Sequence, residues 1–113
     1  MKVELVENPD TDVVGWESQV GEREGWFFVD SEGAVLYRSP LDTRIWGVGD
    51  NLSVFHSAAL AWNAYAASIP GQPESTQLAE IATLRDSLKT LGLLTTPESY
   101  WVLLLEQAEH GLL

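Results

Sequence analysis

The residues able to carry acid–base or metal chemistry are few and widely separated. The chain has no cysteine and two histidines, His56 and His110. Glu106 and His110 are four positions apart, so a helix would place both on one face, where they could share a metal ion. A structural or catalytic metal site needs three or four ligands, and His56 could add one only if two helices met there. We therefore predict no metal and no cofactor.

Two further enzyme motifs are incomplete. Gly47-Val48-Gly49 invites comparison with a phosphate-binding loop, but the third glycine of that motif would fall on Leu52. Asp50 adds a negative charge where a phosphate would need backbone donors. No serine lies in the G-x-S-x-G pattern of a hydrolase nucleophile. We expect neither nucleotide binding nor a serine nucleophile, and we expect that the protein is not an enzyme.

Carboxylates dominate the charge of the chain. Seventeen acidic residues face six basic ones, for a formal net charge of −11. Residues 1–32 alone hold nine acids and two bases. Such a charge disfavours binding to nucleic acid or to an anionic membrane, and it favours a basic partner. Paired carboxylates are frequent in so acidic a chain, so their spacing does not separate a catalytic pair from a solvated acidic surface.

These residues must be positioned by two different halves of the chain. Alternating apolar residues predict strands near residues 2–5, 13–20, 26–29, 34–38 and 43–48, with a polar turn over 21–25. Helical periodicity predicts helices over about 53–68, over about 76–91, and from Thr95 or Thr96 onwards with Leu112 facing inward. Strands followed by helices indicate an α+β fold, in which three helices pack on one face of an antiparallel sheet. At 113 residues we expect one domain.

The ends and faces of these elements can also be predicted. Ser53 is a plausible N-cap, Gly92 suits a helix C-terminus, and Pro97 suits a first helical turn. Trp62 and Trp101 fall on the apolar stripes of the first and third predicted helices, and Leu78 falls on the apolar stripe of the second. Trp26 is likewise expected in the core. Residues 52–69 carry no charge, but their acidic flanks favour a buried helix of a soluble protein over a membrane span. The N-terminus lacks the apolar segment of a signal peptide, which favours a cytoplasmic protein.

Several segments resemble one family in the same order. They are the hairpin FFVDSEGAVLYR, the cap Asn51-Leu52-Ser53 before a long helix, the helix TLRDSLKTLGLL followed by TTPESYW, and the tail from Tyr100 to Gln107 closed by Gly111-Leu112-Leu113. Together they resemble the SUKH superfamily of bacterial immunity proteins, in particular its fourth, actinobacterial subgroup. The resemblance covers roughly residues 25–113. The segment before Gly25 does not align, and the first helix is unusually rich in alanine.

The resemblance implies a protein without catalytic residues that binds and neutralises a protein toxin, often a nuclease or a deaminase, in the producing cell. No binding residue carries over, because the toxin-binding face differs between members. The acidic N-terminal third is our candidate, and Asp10 and Asp12 belong to it. The predicted partner-binding residues are Trp16, Glu17, Glu22, Glu24, Asp30, Glu32 and Trp46. The alternative for the two tryptophans is packing in the core. The alternative for the acidic residues is a solvated surface without a partner.

Two other classes of function fit the composition. An acidic regulator that mimics DNA would bind a DNA-binding protein and compete with duplex DNA, whereas an immunity protein would bind one cognate toxin. A structural subunit would use the uncharged first helix as an oligomer interface and would change mass with concentration. The sequence leaves the oligomeric state open.

Overall fold

The N-terminal half of the chain forms one antiparallel sheet, in a computed structural model that describes residues 1–111. Its strands pair in chain order, and three helices follow, so the predicted α+β fold is confirmed. The strands are β1 (Lys2–Leu5), β2 (Val13–Gln19), β3 (Glu22–Val29), β4 (Val35–Ser39) and β5 (Asp42–Gly49). The helices are α1 (Leu52–Ser68), α2 (Glu74–Thr90) and α3 (Tyr100–Glu109). The predicted inward position of Leu112 lies outside the described residues.

The β2–β3 hairpin is tighter than its polar sequence suggests. Val20 and Gly21 both have positive φ, at 51° and 81°, and close the hairpin in two residues, as type I′ turns do. Glu22 already pairs with Gln19, and Gly25 pairs with Glu17. The predicted turn over 21–25 was therefore wrong, because a two-residue turn leaves Glu22 and Glu24 on the strand.

The core lies between one face of the sheet and the helices. Phe27 is fully buried and its ring centroid lies 4.9 Å from that of Phe55 on α1. Trp62 and Trp101 are buried as predicted, and the indole nitrogen of Trp101 donates to the Val48 carbonyl at 2.8 Å. Trp26 is not part of this core. Strand alternation sends Phe27 to the helices and Trp26 to the opposite face, so the prediction for Trp26 was wrong.

The helices begin at different residues from those predicted. Asn51, not Ser53, caps α1, since its side-chain oxygen accepts from the Val54 amide at 2.9 Å. Helix α3 begins at Tyr100 and not at Thr95 or Thr96. The Ser99 hydroxyl donates to the Leu93 carbonyl at 2.6 Å and holds the preceding segment in a loop. Leu78 was predicted to face the core from α2, but its side chain is 52% exposed, so fewer residues of this helix are buried than predicted.

Helix α1 also covers the free edge of β1. The Asn63 side chain accepts from the Val3 amide at 2.9 Å and donates to the Val3 carbonyl at 2.8 Å. A side-chain amide thereby satisfies the backbone groups that a further strand would use. Across residues 1–111, no helix is both long and apolar enough to cross a lipid bilayer.

Candidate partner-binding surface

The seven predicted binding residues do not share one surface. Trp16 and Glu17 are neighbours on β2, and strand alternation sends their side chains to opposite faces of the sheet. Glu17 points towards the helices, where it meets Tyr100. Glu22 begins β3 and Asp30 follows its last residue, so a strand rising about 3.3 Å per residue separates them by roughly 25 Å. The residues therefore fall into separate groups.

Glu17 belongs to a polar cluster between the sheet and α3. The Tyr100 hydroxyl donates a hydrogen bond to its carboxylate, and the Tyr37 hydroxyl faces the same carboxylate. The two tyrosine rings stack with centroids 4.6 Å apart. Gly25 lies opposite Glu17 on β3, and a Cβ there would come within 2.6 Å of two ring carbons of Tyr37. The missing side chain at Gly25 is therefore what makes room for the Tyr37 ring.

Burial governs the protonation of this cluster. Desolvation raises the pKa of the Glu17 carboxyl above its usual value, and the negative charge of Glu24 adds to that rise. The hydrogen bonds from Tyr100 and Tyr37 act in the opposite direction, since they favour the carboxylate. The pKa values of both tyrosines are raised by burial and by the nearby Glu17 charge, so both hydroxyls stay protonated donors at neutral pH. The cluster ties Glu17 to its own chain.

The most acidic part of the molecule is one end of the sheet, formed by the β1–β2 loop, the β3–β4 turn and the start of the β5–α1 connection. These segments are adjacent because the Val29 amide donates to the Asp12 carbonyl at 3.0 Å and Val35 pairs with Gly49. Residues 6–12, 30–34 and 50–51 contain no lysine or arginine. We call this surface the acidic end; its carboxylates are Glu7, Asp10, Asp12, Asp30, Glu32 and Asp50.

Asp30 has a structural part within the acidic end. Its side chain accepts from the amides of Glu32 at 2.8 Å and Ala34 at 3.0 Å, and Gly33 takes a φ of 85°. This arrangement closes the β3–β4 turn. Asp10, Asp12 and Glu32 are exposed. A partner can reach their carboxylates without disturbing the turn.

The remaining predicted residues lie elsewhere. Glu22 and Glu24 are exposed at the opposite end of the sheet. Trp46 is half-buried against the core, with the guanidinium carbon of Arg44 5.0 Å from its ring centroid. Trp16 is half-buried on the face away from the helices, under the guanidinium of Arg23 at 4.8 Å. Both tryptophans thus have an arginine stacked on the ring.

The face of the sheet away from the helices carries a row of side chains that crosses all five strands. The pairing register aligns Glu4 with Trp16, Trp16 with Trp26, Trp26 with Arg38, and Arg38 with Ile45. The three apolar residues of the row, Trp16, Trp26 and Ile45, neither belong to the core nor pack against it. We call this the outer face. The row depends on strand register, so local sequence patterns do not reveal it; Trp16 and Trp26 share a face because the register pairs them across β2 and β3.

Among residues 1–111, no three histidine, cysteine or acidic side chains come together as potential metal ligands. The imidazole Nδ1 of His110 lies 2.7 Å from the backbone carbonyl oxygen of Glu106. This contact does not involve the Glu106 carboxylate. Comparison with known proteins adds no assignment: the chain matches no protein-family model, no curated protein and no solved structure. Inferences about function therefore rest on the sequence and on this geometry.

Proposed function

We propose that this protein is an immunity protein that binds a basic protein toxin, of the nuclease or deaminase class, and neutralises it in the cytoplasm of the producing cell. The observation that carries the proposal is the acidic end, where six carboxylates from three chain segments meet without a basic residue in those segments. Enzymes that act on nucleic acids bind a polyanion through basic clefts. A concentrated negative surface is complementary to such a cleft.

The charge distribution supports a directional encounter. Lys2, Arg23, Arg38 and Arg44 all lie in the strands, towards the end of the sheet that carries the β2–β3 and β4–β5 turns. The acidic end is at the other end of the same strands. A basic partner is therefore attracted most strongly to one end of the molecule, which raises the rate of productive encounters.

The proposal assigns the main contacts to Asp10, Asp12 and Glu32, which are exposed at the acidic end. Asp30 supports them by holding the turn. Glu22, Glu24 and Trp46 remain predicted contacts, but they lie apart from this surface and would need a partner that reaches around the sheet. Glu17 is engaged with Tyr100 and Tyr37, which leaves it little capacity for a partner.

The proposal is tested by co-expression with the C-terminal domain of the protein encoded immediately upstream. We expect that domain alone to arrest growth and this protein to restore growth and to co-purify with it. The matched pair of variants is Asp10→Lys/Asp12→Lys/Glu32→Lys at the acidic end and Glu74→Lys/Asp86→Lys/Glu106→Lys on the helices, which change the net charge equally. Only the first should lose rescue. Equal rescue by both variants contradicts the assigned surface.

A binding assay with unrelated DNA-binding proteins, run beside the rescue experiment, separates the alternative, a DNA mimic. A DNA mimic would bind several DNA-binding proteins and would be displaced from them by duplex DNA. An immunity protein protects against one toxin. Loss of rescue for the acidic-end variant, together with failure to bind unrelated DNA-binding proteins, supports the immunity function.

A further inference from the structure

The outer face is a second surface that the proposed function does not use. It carries Trp16, Trp26, Phe28, Leu36 and Ile45, all apolar and all pointing away from the helices. Ile45 is 50% exposed. An antiparallel sheet that leaves one face to solvent usually carries polar residues on that face, whereas these five side chains are apolar. Here the layer of helices covers only the other face.

The charges of the central row are antisymmetric about its middle. Glu4 on β1 and Arg38 on β4 flank the tryptophan pair, one strand out on each side. Trp16 and Trp26 occupy the two middle strands of these four. The row therefore reads negative, aromatic, aromatic, positive from β1 to β4. A two-fold axis that runs between β2 and β3, parallel to the strands, places the negative end of this row opposite the positive end of the row in a second copy.

We propose that the outer face binds a second copy of this chain in a face-to-face dimer about that axis. In this arrangement Glu4 lies opposite the partner's Arg38, and Arg38 lies opposite the partner's Glu4. Trp16, which carries the guanidinium of Arg23 on its ring, lies opposite the partner's Trp26, and the reverse contact repeats on the other side. Aligned sheets pack about 10 Å apart, which the side chains of glutamate and arginine span.

The charges exclude the other two-fold arrangement. An axis in the interface perpendicular to the strands would leave each strand opposite its own copy. Glu4 would then face the partner's Glu4, and Arg38 the partner's Arg38. Like charges in direct contact are unfavourable. The row selects the axis parallel to the strands.

The size and charge of the interface set its strength. The axis sets β1–β4 against the same four strands of the partner and leaves β5 outside the overlap. Four strands spaced about 4.8 Å apart, each contributing about five residues, give a face of roughly 300 Å² per copy. That is less than half of a standard interface, so the dimer is weak and its population depends on concentration. The axis also places both acidic ends at the same end of the dimer. Their repulsion is screened beyond about 8 Å at physiological salt, so the dimer is best measured there and not at low salt.

The test is sedimentation equilibrium of the full chain over a range of concentrations. The wild type should show a monomer–dimer equilibrium. Glu4→Arg and Arg38→Glu should each weaken self-association at least tenfold. An equimolar mixture of the two variants should recover it as a heterodimer, because both cross-pairs are then opposite in charge. Asp86→Arg and Lys89→Glu, exposed on α2, are the matched controls and should leave the equilibrium unchanged.

Three results overturn the proposal: a wild type that stays monomeric at its highest attainable concentration, a dimer unaffected by either reversal, or a mixture that does not associate. Glu4→Arg also removes the contact of Glu4 with Arg23, whose Nε lies 3.7 Å from its carboxylate. Trp26→Glu disrupts the face without touching that pair and should also give a monomer. Circular dichroism and thermal melting of each variant separate loss of the dimer from loss of the fold.

Discussion

Glu17 in the middle of β2 accepts a hydrogen bond from the hydroxyl of Tyr100, the first residue of α3, 83 positions later in the chain. The contact fixes where α3 begins on the sheet. It also explains why Tyr100 is fully buried although it is polar. The carboxylate of Glu17, predicted from the sequence to contact a partner, thus holds the two halves of the fold together.

The first prediction concerns the pH dependence that Glu17 confers. Its folded pKa is raised above the usual value, so the folded state binds its proton more tightly than the unfolded state does. Protonated Glu17 therefore does not reduce the free energy of unfolding at low pH. That free energy falls as the pH rises from the unfolded-state pKa of Glu17 through its raised folded-state pKa. Glu17→Gln keeps an acceptor for the tyrosines and removes the charge.

Urea unfolding at several pH values checks this. The stability of Glu17→Gln relative to the wild type should increase from acid to neutral pH. Glu22→Gln, which removes a carboxylate at an exposed position, is the matched control. A difference between Glu17→Gln and the wild type that is the same at all pH values would refute the raised pKa.

The second prediction concerns the space at Gly25. An alanine Cβ there comes within 2.6 Å of the Tyr37 ring, so Gly25→Ala must displace a buried side chain. We expect the free energy of unfolding to fall by about 1–3 kcal/mol, which is the usual effect of overpacking a core. Gly47→Ala is the control, because nothing lies within 4 Å of its Cβ position. Chemical denaturation measures both, and equal effects would contradict the role given to Gly25.

The third prediction concerns the edge of β1. Asn63→Ala removes both hydrogen bonds to the Val3 backbone and should cost about 2 kcal/mol. Hydrogen exchange of the Val3 amide should accelerate. Asn51→Ala, which removes the cap of α1, should lower stability by about 1 kcal/mol without changing that exchange rate selectively. Unchanged protection of Val3 in Asn63→Ala would show that Asn63 does not close the edge.

The fourth prediction separates folding from binding at the acidic end. Asp30→Ala removes two hydrogen bonds to the β3–β4 turn and should destabilise the protein by about 1 kcal/mol. Glu32→Ala removes an exposed charge in the same turn and should leave the melting temperature nearly unchanged. If Asp30→Ala has the same melting temperature as the wild type, the Asp30 side chain is not needed for the turn and can contact a partner directly.

Local patterning was enough to predict most of the elements. The aromatic run around Phe27 and the apolar periodicity of residues 52–69 predicted a central strand and a long helix, and both are present. Strand alternation could also have shown that Trp16 and Glu17 point to opposite faces. The prediction grouped them because it followed the charge of the segment and not the period of the strand.

Contacts between distant segments could not be predicted in this way. The pairing of Glu17 with Tyr100 depends on where α3 docks, and the row from Glu4 to Ile45 depends on register and on irregularities in pairing between Glu17 and Ser18 and between Arg38 and Ser39. Pro97 and Glu98 have the local pattern of a helix start. A tertiary hydrogen bond at Ser99 moved that start to Tyr100.

The central claim is that the acidic end binds a basic toxin. The most direct measurement is the rate of association between this protein and the purified C-terminal domain of the protein encoded immediately upstream, at low and at physiological ionic strength. For the wild type we expect fast association that slows with salt. Asp10→Lys/Asp12→Lys/Glu32→Lys should associate at least tenfold more slowly with little salt dependence, and Glu74→Lys/Asp86→Lys/Glu106→Lys should stay close to the wild type. Equal rates for the two triple variants, or no association by the wild type, would contradict the account.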